Sequence, residues 1–483
     1  MLISLDRTSA QSLQEQLFHQ IRQQILDGRL KPDAAVPSSR HLAQQLKISR
    51  NSVTFAYERL INEGYLITRP MVGTYVAAVL PEQAMSTGDA GAAGPARPRA
   101  PQKLAPAAFT GRQHAILNTG RIPIDFWPQR TDPRAFPLKA WRRLILHALA
   151  TAGHNLTEYG DPCGLMSLRA AIADHVSAMR DIHVRPEQVI VVAGAQLALN
   201  LAMRVLARES DGIVIENPCS QGAAYLFESL NLRLHPIDGD GHGLKTAELA
   251  GIDAQIAYVM PSHQYPMGGT LSLERRTELL RWAERTGAYI IEDDYDCEFH
   301  YGGMLLPALK ASSPENVIYL GTFSKTLGAG LRTGYAIFPD HLAPAAAAAK
   351  ALLDNGQVWL EQAALAEFLH TGGFVRHLRR VRLRYQQRRD ALVSALRQAF
   401  GRVELRGAEG GTHVAWQIPP GLPKAHQLAG IARARNVGLY TVQAGGGHEY
   451  GGSTYDDGWL LMGYASLTEE QIEAGIARLR QAL

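Results

Sequence analysis

Tyr319-Leu320-Gly321-Thr322-Phe323-Ser324-Lys325-Thr326-Leu327, with Arg332 close behind, is the stretch that decides how this chain is read. The apolar run from Asn316 to Leu320 has the pattern of a buried strand, and Gly321 gives the chain freedom to turn as it leaves the sheet. Lys325 then projects past the carboxyl end of that strand, which is where ligands bind in an α/β sheet. A lysine there, partly desolvated and near other cations, has its pKa lowered enough to attack a carbonyl and form a Schiff base. Thr322, Ser324 and Arg332 are the groups a phosphate needs beside it. A nucleotide-binding loop is disfavoured, because such a loop has Gly directly before its lysine and this chain has Ser324. Taken alone, the stretch also fits a solvated surface lysine.

A second stretch, Tyr289-Ile290-Ile291-Glu292-Asp293-Asp294-Tyr295-Asp296-Cys297-Glu298-Phe299, reads as another buried strand ending in acids. A carboxylate at such an end, here Asp293, can hold a pyridine nitrogen protonated and turn the ring into an electron sink, and Tyr295 can hydrogen-bond a ring hydroxyl. Asp296 and Glu298 read as a solvated acidic loop. In a third stretch, the strand Val189 to Val192 runs through Ala193-Gly194-Ala195-Gln196 into a helical pattern of Leu197, Leu199, Leu201, Val205 and Leu206. That places free backbone N–H groups at a helix N-terminus, an anion site.

Together the three stretches resemble the pyridoxal phosphate site of fold-type-I aminotransferases. With Tyr159-Gly160-Asp161-Pro162, Glu216-Asn217-Pro218 and Pro261-Ser262-His263-Gln264-Tyr265-Pro266, the chain resembles the MocR branch of the GntR transcription regulators from about Ser12 to its end. The resemblance implies pyridoxal 5'-phosphate on Lys325, with Asp293 on the pyridine nitrogen and Tyr295 on the ring oxygen. It further implies Gly194, Ala195, Gln196, Thr322, Ser324 and Arg332 around the phosphate, and His263 and Tyr265 in the loop that contacts the ring. Tyr159 would reach the phosphate from the other subunit, which implies a homodimer.

Two positions depart from the pattern. The family has an aromatic residue two positions past the proline of Asn217-Pro218, stacked on the ring, where this chain has Ser220. Aminotransferases grip the substrate carboxylate with an arginine near the C-terminal strand, where this chain has Leu461. Arg130 is a possible substitute. Weak transamination is therefore expected, and the alternative is an active aminotransferase with an appended DNA module.

The first 78 residues carry an independent signal. Leu13, Leu17, Ile21 and Ile25, widened by Phe18 and Leu26, give one apolar face that ends near Gly28. Pro37-Ser38-Ser39-Arg40 starts a second helix, and Ser49 starts a third with Val53, Tyr57, Leu60 and Ile61 inward. These form a helix-turn-helix, followed by a β-wing, Tyr65 to Thr68 and Thr74 to Val76, around Gly73. Arg50, Asn51 and Thr54 face outward at the start of the third helix, the types that read a major groove, and Arg40 sits where the preceding helix crosses the backbone. Ser49 and Asn51 also suit helix capping.

At 483 residues the chain is long enough for about three domains, and 46% hydrophobic content supports well-filled cores. The formal charge of +4 forces no large basic surface. Cys163, Cys219 and Cys297 are far apart and show no metal spacing, which fits a reducing cytoplasm. No membrane-length apolar run or signal-peptide pattern is present. The expected order is a winged helix-turn-helix over 1–78, a proline-rich linker over 79–115, a large α/β cofactor domain over 116–384 and a small α/β domain over 385–483. The basic run Arg376 to Arg389 reads as the solvated face of a long helix, and Gly445-Gly446-Gly447 with Gly451-Gly452 as a mobile loop. The expected partners are double-stranded operator DNA and a small effector: an amino acid, an amine or the B6 cofactor itself.

Overall fold

The computed structural model describes residues 3–7, 9, 11–70, 72–80, 122–302 and 305–483. From residue 81 onward the expected linker lies outside the described residues. The chain divides into two compact units, Met1–Ala105 and Pro106–Leu483.

In the first unit, Ser12 opens helix α1 (Leu13–Leu26) with a reciprocal capping box to Glu15. Ser38 caps α2 (Ser39–Leu46) by accepting from the His41 amide. Lys47, at φ 52°, then turns the chain in left-handed backbone toward α3 (Arg50–Asn62). The wing is an antiparallel pair, β1 (Leu66–Arg69) and β2 (Gly73–Val76). Leu17, Phe18, Ile21, Val53, Leu60 and Val76 fill the space between helices and wing. The Tyr57 hydroxyl donates to the Pro37 carbonyl at 2.8 Å and so fastens α3 to the start of α2.

The second unit is built on an eight-stranded sheet: β3 (Val189–Val192), β4 (Gly212–Asn217), β5 (Arg233–Asp240), β6 (Gly243–Leu244), β7 (Ile256–Val259), β8 (Tyr289–Asp293), β9 (Val317–Thr322) and β10 (Gly334–Ile337). Their spatial order is β3-β10-β9-β8-β7-β4-β5-β6, antiparallel where β10 and β6 join and parallel elsewhere. Strands β3, β7 and β9 are buried along their length, which is why they read as continuous apolar runs. Register brings the functional ends together. Val192, Gly334 and Thr322 stand level across three strands, and Asp293 pairs with Leu320 on the next.

Gly321 has a different purpose from the one its sequence suggests. The strand runs two residues beyond Leu320, and Gly321 pairs with Tyr335 inside it. A Cβ there would lie 2.2 Å from the Tyr335 ring, so the glycine admits an aromatic side chain and makes no turn.

Helix α5 (Gly373–Phe400) runs unbroken through residue 385 to a three-stranded sheet of Glu404–Arg406, His413–Gln417 and Trp459–Gly463, closed by the helix Glu469–Gln481. Only part of its basic run is a solvated face. Arg382 donates to the Glu298 carbonyl at 2.8 Å, Arg388 to Asp132 at 2.8 Å and to the Ala465 carbonyl, and Arg389 to the Ala408 carbonyl. Among the described residues no helix is long and apolar enough to cross a membrane.

Candidate functional site

Lys325 sits in a five-residue π-helical turn, Ser324–Gly328, that follows β9. Its ammonium is 5.9 Å from the centroid of the Tyr295 ring. Desolvation pushes the lysine down from its ordinary value, and Asp296 partly offsets that. Two other buried lysines show why this matters. Lys310 donates to the carbonyls of Pro314 and Val317 at 2.6 and 2.8 Å, and Lys350 is paired with Asp354. Among the described residues Lys325 has no hydrogen-bond partner, so its nitrogen is the one left for an incoming carbonyl.

Asp293 closes β8. Tyr258 donates to its Oδ2 at 2.7 Å, while the buried Oδ1 has no partner. Burial pushes the carboxyl up to about 7, against the pull of the Tyr258 hydroxyl and with a further push from Asp294 and Asp296. A protonated pyridine nitrogen would supply both the hydrogen bond and the positive charge that this oxygen lacks. Glu216, at the end of β4, is likewise dry and is pushed up to about 8 by burial, although the Met260 amide donates to it at 2.9 Å.

The anion end is built by the register. Gly194 precedes helix α4 (Ala195–Leu206) at φ 87°, so the amides of Ala195 and Gln196 are those a helix cannot satisfy internally. The Arg332 guanidinium lies across Gly194, 3.2 Å from where a Cβ would stand, and donates to the Ala193 carbonyl at 2.7 Å. Thr322 and Ser324 link their hydroxyls at 3.0 Å at the end of β9. The side chain of Gln196 is engaged elsewhere. Its side-chain amide donates to the Gly222 carbonyl at 2.9 Å.

The loop after β7 adds His263 and Tyr265, both buried. Tyr265 donates to the Gly445 carbonyl and accepts from Gln129 at 3.3 Å. The Gly445–Gly447 stretch is tied down further: Gln221 donates to Gly446, and Gly447 pairs with Ser220. Asp296 and Glu298 correct the sequence reading. Both are buried, Asp296 3.0 Å from His263 Nδ1 under the small domain's glycine turn, and Glu298 3.7 Å from His175.

Tyr159 is 90% exposed and touches none of these groups in its own chain. Leu461 is fully buried in the strand Trp459–Gly463, against Met267, Ala415 and Val442. Arg130 is ion-paired with Asp125 at 2.8 Å through one of its nitrogens. Lysine, orphaned carboxylate and anion cradle fit a phosphorylated pyridine aldehyde. Separately, Arg40, Arg50 and Asn51 are exposed on the first unit, with Thr54 half-buried beside them. The Ser49 oxygen accepts from the Ser52 amide at 3.1 Å, so it caps α3, and Gly73 sits at φ 139° where the wing turns.

The chain matches the family model of bacterial regulatory proteins of the gntR family over residues 13–76, and that of aminotransferase class I and II over residues 130–479. It is 34% identical to the probable rhizopine catabolism regulatory protein MocR of Rhizobium meliloti, over 82% of this chain and 80% of the relative. It is 32% identical to the HTH-type pyridoxine biosynthesis transcriptional regulator PdxR of Corynebacterium glutamicum, over 100% and 98%. Among solved structures, LysN, an alpha-aminoadipate aminotransferase from Thermus thermophilus, matches with a TM-score of 0.67 and 29% identity, over 74% of this chain and 92% of that one.

Proposed function

The chain belongs to the gntR-family regulators that carry a class I and II aminotransferase domain, and from that premise we propose that its cofactor domain senses a small amine, an amino acid or the B6 cofactor itself and adjusts operator binding. The cofactor is pyridoxal 5'-phosphate, which supplies an electron-withdrawing ring and an aldehyde when bound. Lys325 would present the amine, Asp293 Oδ1 would accept from a protonated ring nitrogen, Tyr295 would donate to the ring oxygen, and the α4 amides with Arg332, Thr322 and Ser324 would hold the phosphate. His263 and Tyr265 would stand beside the ring. The unpartnered Lys325 nitrogen is the observation that carries this assignment.

Buried Leu461 favours sensing over turnover. It offers no donors to an α-carboxylate, and a carboxylate left unpaired in a partly dry site is costly. Similarity to an aminotransferase keeps the enzymatic reading as the second one. We further infer a homodimer in the cytoplasm: Tyr159 is 90% exposed and is thereby available to the phosphate site of a partner subunit, and a regulator of this family acts on DNA. A ligand can shift the DNA-binding equilibrium only by its differential affinity for the two states.

Borohydride treatment of the holoprotein followed by peptide mass analysis should place the cofactor on Lys325, and Lys325→Ala should lose the visible absorbance; attachment elsewhere refutes the assignment. In single turnover with common amino donors, the wild-type absorbance should change slowly or not at all. Conversion at rates usual for enzymes, roughly 1–10³ per second, would promote the enzymatic reading.

A further inference from the structure

We propose that Asp296 and His263 are a positioning pair that fixes the direction of the Tyr295 hydroxyl proton and aims it at the oxygen of the cofactor ring. This rests on the reading of Tyr295 given above. His263 Nδ1 lies 3.0 Å from Asp296 Oδ2 and 3.1 Å from the Tyr295 oxygen. An ionised carboxylate only accepts hydrogen bonds, so the proton between the two residues belongs to Nδ1. A bare Nδ1 would set its lone pair against those of the carboxylate. With Nδ1–H shared between Asp296 and Tyr295, the imidazole has no lone pair there to offer the phenol. The Tyr295 oxygen accepts from His263, so its own proton is withheld from the imidazole and is donated to the ring oxygen in competition with Asp296, which also hydrogen-bonds the phenol.

The pair is built into the fold. Asp296 and His263 are 2% and 4% exposed. A Cβ on Gly411 would come 2.1 Å from His263 Cε1 and 2.7 Å from Asp296 Oδ2, and one on Gly407 would come 2.8 Å from His263 Nε2. The small domain's turn thus presses bare backbone against the pair and leaves Nε2 without a partner. A sealed, half-satisfied imidazole is costly, which argues that the Nδ1 side has a use. Around Tyr295 stand Asp296, Tyr265, Asp293, Lys325 and Tyr464, with His413 packed on His263. Burial first, then Asp296, raises the phenol well above its ordinary value, so Tyr295 keeps a proton to donate.

Nitrogen-15 spectroscopy of histidine-labelled holoprotein, with the His263 signals assigned by their loss in His263→Gln, reads the tautomer directly. A protonated Nδ1 is expected, and a bare Nδ1 overturns the proposal. A pH titration of the cofactor's visible absorbance adds a second readout. Tyr295→Phe should move the midpoint by about one unit or more, since the ring oxygen loses its donor. An unmoved midpoint in Tyr295→Phe overturns the placement of Tyr295, and this inference with it. Where Tyr295→Phe moves the midpoint, Asp296→Asn should move it in the same direction, because the amide frees Nδ1 to capture the phenol proton. An Asp296→Asn protein that titrates like wild type overturns the pair alone. Should Asp296→Asn fail to take up cofactor, the wild-type tautomer decides.

Discussion

Asp293 is a carboxyl kept dry by the strand that presents it, and its proton ties cofactor chemistry to stability. Burial lifts it to about 7, whereas an unfolded aspartate titrates near ~4. The folded apoprotein therefore holds a proton that the unfolded chain releases. Stability from this group is complete below about 4 and is lost as pH rises through about 7. Apoprotein carrying Asp293→Asn should gain on wild type in thermal midpoint across that window. Midpoints that stay parallel from acid to neutral pH would refute it. The same scale shows what the sequence hides. Asp293, Tyr295 and Lys325 are legible because apolar runs ending in polar residues mark strand ends. Asp296 and Glu298 are not, since one is covered by a glycine turn and the other lies beside His175, each more than a hundred residues away, and no local pattern separates such acids from solvated ones.

Helices and strands are easier to read than the reasons for some of their residues. The three helices of the first unit follow from periodicity and from Ser12, Ser38 and Ser49 as caps. Gly321 has the look of a turn because sequence carries no sign that Tyr335 lies across the neighbouring strand. On α3 the two roles of a helix start separate. Ser49 is occupied by the Ser52 amide, so Ser49→Ala should cost the domain about 1 kcal/mol of stability with little change in sequence preference. Arg50 is exposed beside it, and Arg50→Ala should cost roughly 1–3 kcal/mol of specific DNA affinity if it reads a base. Titration of operator and random DNA at one salt concentration distinguishes these outcomes. Unchanged affinity in Arg50→Ala would move the reading surface elsewhere.

Across the whole second unit, buried arginines join what the sequence divides. Burial would raise the Asp132 carboxyl, but hydrogen bonds from Arg134 and Arg388 outweigh that and hold it below its ordinary value. Stability from Asp132 is present above the ordinary carboxylate range and is lost as pH falls through its lowered value. Arg388→Met leaves the carboxylate buried with only the half-exposed Arg134 and the more distant Arg384 as partners and should cost roughly 3 kcal/mol in urea unfolding. Adding Asp132→Leu should return much of that and blunt the acid sensitivity. Additive losses in the double variant would show that Arg388 acts through packing alone. The basic run looks like a solvated face in sequence because an arginine that donates to a distant carbonyl has the same spacing as one in water.

One contact on that helix reaches further. His377 meets the Thr326 carbonyl at 2.8 Å, one residue beyond Lys325, while Arg388 holds Asp132 and Ala465 farther along. An α-helix is stiff over such a span, so α5 ties the turn that carries Lys325 and the buried Asp132 cluster to one rod. From His377 to Phe400 that rod is roughly 35 Å long, and a shift at one of its anchors is felt at the others.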